Sequence, residues 1–179
     1  MTGATIFALD IDLNDVDRGE YRKLSLRVAQ HPSETADFLV ARVLAYCLEH
    51  TEGIEFSRGL STPDEPAIQV RDLTGQLQAW IEVGLPSPER LHRASKATPR
   101  VAVYAHREPS QWVRALSDAK IHRADALEVF AFDRDFIARL AAGLEKRMQW
   151  SLARSDAVIY LTSGNETLET ALERPLERT

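Results

Sequence analysis

Three carboxylates and one turn mark the part of this sequence best suited to chemistry. Asp64 and Glu65 stand together before Pro66, and Glu82 stands between the apolar Ile81 and Val83. Between them, two extended runs at roughly 66–72 and 76–83 flank Thr74-Gly75, a pair suited to a tight turn. A hairpin brings its outer ends together, so Glu82 is expected beside at least one of Asp64 and Glu65 at one end of a sheet. Converging carboxylates suit a hard divalent cation, Mg2+ or Mn2+, that keeps most of its waters; metal–oxygen distances near 2.1 Å put the acid oxygens roughly 3–5 Å apart. Asp64 and Glu65 also read as solvated loop acids. Glu82 is harder to explain that way. A carboxylate at a strand end, with Trp80 on the same face, is costly to bury unless paired. An ion pair with an arginine of the next helix is its structural alternative.

The elements that must position these acids follow from periodicity. Residues 4–13 and 21–29 alternate as strands around an acidic turn and make a first hairpin. His31-Pro32-Ser33-Glu34 reads as a helix start, with Ser33 as cap and Glu34 favouring the positive end of the dipole. Leu39, Val40, Val43, Leu44, Cys47 and Leu48 then repeat at helical spacing, so 33–50 is expected to be a helix with one buried face. Residues 54–56 read as a short strand before the central hairpin. Ser87-Pro88 is a cap followed by a first-turn proline, opening a helix over 88–97 that Pro99 ends. Strands at 101–105 and 127–132 alternate with helices at 110–118 and 134–143, and three strands close the chain at 148–153, 157–161 and 166–172. This order predicts an α/β fold, a mixed sheet with helices on its faces. The terminal strands either extend one edge or form a small second sheet.

The 179 residues suit one domain over 1–179, with 44% hydrophobic and 27% charged residues as in a globular protein. A net charge of −5 argues against a nucleic-acid coat protein or a membrane-surface protein, though not against a local basic groove. The lone Cys47 has no partner for an internal disulfide, and the N-terminus lacks a signal-peptide pattern; a cytoplasmic location is expected. No apolar run approaches the ~20 residues that span a bilayer, and a monomer is expected. The five histidines lack metal-ligand spacing, and no phosphate-loop or nucleophile-elbow motif occurs.

The combination His31-Pro-Ser-Glu-Thr35, Phe56-Ser-Arg-Gly-Leu-Ser-Thr followed by Asp64-Glu-Pro66, and Trp80-Ile-Glu-Val-Gly84 with Pro86 resembles the YaeQ family of bacterial proteins. The resemblance covers nearly the whole chain. It implies a core like that of the PD-(D/E)XK, restriction-endonuclease-like superfamily, with added N- and C-terminal β-hairpins and a metal-dependent phosphodiesterase scaffold. On this resemblance Glu82 is the acid of the (D/E)XK element, Asp64 or Glu65 replaces the aspartate absent at Ala67, and Glu34 matches an extra acid. The lysine position is Gly84, so the resemblance implies that Arg93 or Lys96 on the next helix supplies the charge. Arg93 is expected first, being one turn nearer the strand end, on a helix whose Leu91, Ala94 and Thr98 stripe packs on the sheet. Arg58 contacts a phosphate or pairs with the acids.

Two functions remain open at this level. One is a Mg2+- or Mn2+-dependent nuclease acting on DNA or RNA. The other is a non-catalytic nucleic-acid-binding or protein-interaction module on the same fold, favoured by Gly84, Ala67 and the acidic charge.

Overall fold

The structure, a computed structural model, describes residues 3–57 and 64–176. Arg58 therefore lies outside the described residues. Among the described residues two five-stranded mixed sheets form, rather than one sheet with edge additions. The first pairs the chain ends in the order β10-β9-β8-β1-β2, from β1 (Thr5–Asp15), β2 (Glu20–Gln30), β8 (Arg147–Ser155), β9 (Val158–Ser163) and β10 (Glu166–Ala171). The second, in the order β3-β4-β5-β6-β7, takes β3 (Ile54–Phe56), β4 (Ile68–Arg71), β5 (Leu77–Val83), β6 (Arg100–Ala105) and β7 (Glu128–Ala131).

Both terminal hairpins form as the alternation predicts, but β1 and β8 join them in parallel, with Ile11 opposite Trp150. The joint is held from within. Asp15, fully buried, accepts from Arg154 Nε at 3.0 Å and from Nη2 at 2.5 Å. Arg154 also donates to the Leu48 carbonyl, as does Arg18, which reaches the His50 carbonyl too. These arginines satisfy backbone acceptors left open where α1 (Ala36–Leu48) ends.

Helix α1 touches β2 of one sheet and β3, β5 and β6 of the other, so it lies between them beside α4 (Arg134–Ala142). That position corrects the expectation of a single buried face. Ala41, Arg42 and Ala45 are buried as well as the predicted stripe. The cap is also two residues later than Ser33. Thr35 Oγ1 accepts from Phe38 N at 3.1 Å, so Glu34 precedes the helix and Asp37 is the acid of its first turn. Cys47 is fully buried, and burial pushes its thiol up to about 12, which leaves it inert.

The outer face of the second sheet carries α2 (Pro88–Ala97) and α3 (Ser110–Asp118) over a smaller core of Trp80, Leu91, Ala94, Val101, Val103 and Leu116. Ser87 Oγ caps α2 and proline opens it, and Leu91, Ala94 and Thr98 are buried as the helical stripe requires. Among the described residues, no helix is long and apolar enough to cross a membrane.

Candidate functional site

β4 and β5 are antiparallel, with Ile68 opposite Ile81, and β6 runs parallel to β5. Glu65 leads into β4 and Glu82 lies one residue beyond Ile81, so both acids reach the same end of the sheet. His106 and Arg107 follow β6 at that end. Crevices beyond the carboxyl ends of parallel strands are the usual ligand positions of open α/β sheets. Here a cavity of about 360 Å³ opens, lined by Arg42, Glu65, Glu82, Arg90, His106 and Arg107, with Phe38, Leu85 and Pro86 among its apolar walls. Arg42 enters from α1 on one face of the sheet and Arg90 from α2 on the other. The strand end is where both faces are reachable.

Glu82 is buried, with 6% of its surface exposed, on the α2 side of β5 with Trp80. Its Oε1 accepts from Trp80 Nε1 at 2.5 Å and from Arg90 Nε at 2.9 Å, and Arg90 Nη2 lies 2.9 Å from the same oxygen. Burial pushes this carboxyl above its ordinary range, against the lowering effect of Arg90 and of both hydrogen bonds. Arg90 Nη2 also donates to the Glu65 carbonyl at 2.5 Å, and its guanidinium carbon lies 5.7 Å from the centre of the Trp80 ring.

Glu65 is half-buried, and its Oε2 is enclosed with no hydrogen-bond partner among the described residues. Arg42 Nε and His106 Nε2, on the same cavity, are likewise buried without hydrogen-bond partners among the described residues. Arg42 donates through Nη2 to the Ala29 carbonyl at 2.8 Å, with its guanidinium carbon 5.5 Å from the Phe56 ring centre. Burial lowers the affinity of Arg42 for its proton, opposed by Glu34. Burial also pushes His106 below its ordinary range, helped by Arg107 and opposed by Asp37.

Of the site residues expected from sequence, the fold brings Glu65 and Glu82 to one cavity. Asp64 is exposed and outside the lining. Glu34 is buried and is not in the cavity lining; its Oε1 accepts from His31 N at 3.3 Å, and its Oε2, without a hydrogen-bond partner among the described residues, lies 3.2 Å from Nη2 of the lining Arg42. Among the described residues, no group of three or more His, Cys, Asp or Glu side chains gathers to hold a metal. Arg93 and Lys96 are exposed and line no part of the cavity. The arginine that reaches Glu82 is Arg90, because helical side chains lean toward the N-terminus and only the first turn of α2 borders the strand end. The position that the resemblance gives to a lysine is disfavoured for any side chain by its backbone. Gly84 has φ +102°, where a side chain is strained although nothing crowds its Cβ position.

Arg42, Arg90, His106 and Arg107 were missed from sequence. Arg42 had a legible signal, a lone charge inside the apolar run Leu39-Val-Ala-Arg-Val-Leu44. His106 directly follows an apolar strand at the end where ligands bind.

The class of protein is thus a mixed α/β fold of two mixed sheets and, among the described residues, four α-helices, with an ion-paired cavity at the end of the second sheet. The YaeQ protein family matches residues 1–172, and the chain belongs to that family. It is 30% identical over 177 residues to the uncharacterized protein YaeQ of Escherichia coli (strain K12), covering 96% of this chain and 97% of that one. The same description and identity hold for the relative from Salmonella typhi, over the same shares of both chains. Crystal structures of YaeQ proteins from Pseudomonas syringae (TM-score 0.87, 29% identity, 98% of this chain and 97% of that one) and Xanthomonas axonopodis pv. citri (TM-score 0.88, 30% identity, 96% and 97%) are closely similar.

Proposed function

We propose that the cavity at the ends of β4, β5 and β6 is a site for cation-assisted hydrolysis of a nucleic-acid phosphodiester, on a core of the PD-(D/E)XK type. The succession α1-β3-β4-β5-α2-β6, with an acid before β4 and another at the end of β5, supports the reading. The observation that carries it is the Oε2 of Glu65, buried without a hydrogen-bond partner among the described residues, in the cavity where Glu82 ends. A polar oxygen enclosed without a donor is costly, and a cation relieves that cost. Two carboxylates fit Mg2+ or Mn2+, hard ions that complete their shells with water. Such an ion, when bound, lowers the pKa of a coordinated water and neutralises phosphate charge.

The chain's own residues have separate tasks in this reading. Glu65, before β4, and Glu82, at the end of β5, would hold the ion. Trp80 and the apolar neighbours of Glu82 keep water from its buried side. Arg107, exposed at the rim, attracts the polyanion. The fully buried thiol of Cys47 suits a reducing cytoplasm, where nucleic acid is available.

The test is thermal unfolding with increasing Mn2+, alongside cleavage of single- and double-stranded DNA and RNA. A ligand that binds only the native state raises Tm. Wild type should respond, and both Glu65→Gln and Glu82→Gln should lose the response and any cleavage. Equal shifts in all three proteins would place the ion elsewhere and end this reading. The second reading, a non-catalytic binding module, is favoured by Gly84 at the lysine position and by Arg90 already seated on Glu82. It takes the lead if wild type shows no Mn2+ response and cuts nothing.

A further inference from the structure

We infer that Arg90 is the stand-in for the cation at Glu82 and, once displaced from it, the positive charge that the strand lacks. The inference rests on the cation reading above. One guanidinium joins the two segments the ion would join. Arg90 places Nε and Nη2 each 2.9 Å from Glu82 Oε1, while Nη2 also bonds the Glu65 carbonyl. A cation on Glu82 and a guanidinium on that same carboxylate repel each other in a site screened from water. Relief then comes from movement of the guanidinium.

The helix root is held, because Ser87 caps α2 by accepting from Arg90 N at 3.2 Å. Movement is therefore a rotation of the side chain alone, which is 22% exposed and already borders the cavity. Leaving Glu82 turns the guanidinium into the cavity, where a planar fork of donors suits two phosphate oxygens. The cation and Arg90 thus exclude each other at Glu82 and cooperate on the substrate. Binding of the ion to the wild type is weakened by the fraction of molecules in which Arg90 holds Glu82.

Mn2+ affinity, followed by electron paramagnetic resonance of the free ion, reads this without any turnover. Arg90→Met keeps the stem over Trp80 and removes the charge. It should bind Mn2+ about ten-fold tighter or more, a coupling of ordinary size. With Mn2+ saturating, a short single-stranded oligodeoxynucleotide should bind Arg90→Met about ten-fold more weakly than wild type. Binding by Arg90→Met alone, lost again in Arg90→Met with Glu82→Gln, would equally support competition. Unchanged or weaker Mn2+ binding in Arg90→Met overturns the inference and leaves the cation reading intact, provided Glu82→Gln abolishes binding. No Mn2+ binding in any variant overturns both. Should Arg90→Met fail to fold, nuclear magnetic resonance of the wild type decides. Adding Mg2+ should shift the Arg90 Nε–H signal, and a signal unmoved by Mg2+ that binds overturns the inference.

Discussion

Replacing Trp80 with phenylalanine isolates one bond at the centre of the site. The change keeps most of the buried ring but removes the Nε1–H that donates to Glu82 Oε1 at 2.5 Å. A hydrogen bond to a charged group contributes about 1.5–3 kcal/mol. Loss of part of a ring that is 6% exposed adds about 1 kcal/mol of packing. The cost near pH 7 should then be about 2.5–4 kcal/mol, measured by urea unfolding. The pH dependence separates the two parts. Burial already holds the Glu82 carboxyl above its ordinary range, and removing a donor to its ionised form raises it further. A carboxyl raised on folding is penalised in its charged form, so its stability contribution is full at low pH and is lost as pH climbs through the raised value. The deficit of Trp80→Phe should therefore widen as pH rises through that window and shrink below it toward the packing part alone. In a Glu82→Gln background the substitution should cost at least about 1 kcal/mol less, because only a neutral bond remains to be lost. A deficit that is the same at every pH, and the same in the Glu82→Gln background as in the wild type, would refute the assignment of Glu82 as a buried, charged acceptor.

Two further outcomes follow from buried charges. Asp15→Asn strands Arg154, whose side chain is 9% exposed, and should cost about 3 kcal/mol, the low end for a broken buried pair because Asp17 remains 3.9 Å away. The urea midpoint should fall with unchanged slope, and Asp15→Leu combined with Arg154→Met should cost less than Asp15→Asn alone. His106 is held below its ordinary range by burial and by Arg107, with Asp37 opposing, so the unfolded chain takes up a proton that the native site resists. Wild type should lose stability as pH falls below about 6.5, and Tm measured against pH should show that loss reduced in His106→Gln.

The depth at which the site could be read from sequence differs from residue to residue. Glu82 and Glu65 were legible, because a turn at Thr74-Gly75 between two short runs leaves little freedom in where the outer ends meet. Arg90 was not. Ranking Arg93 and Lys96 by distance along the helix axis left out the backward lean of helical side chains, which gives the strand end to the first turn. The place of Glu34 relative to the helix start was misread for a related reason. Ser33 and Thr35 are both good caps, and only the packed structure selects Thr35, which puts Glu34 outside the helix and against Arg42.

Local rules therefore determined most elements of this protein by themselves. Ser87-Pro88 opened α2 and alternation drew both terminal hairpins, since caps, turns and periodicity act over a few residues. Tertiary structure alone decided the parallel pairing of β1 with β8, which brings Asp15 to Arg154 across 139 residues of chain. It also decided that α1 is buried between two sheets, which carries Arg42 to the cavity. An alternating strand specifies which face is apolar but not which neighbour it joins. That choice is made by the whole core, when burial on both sides of α1 and the pairing of otherwise stranded charges are satisfied together.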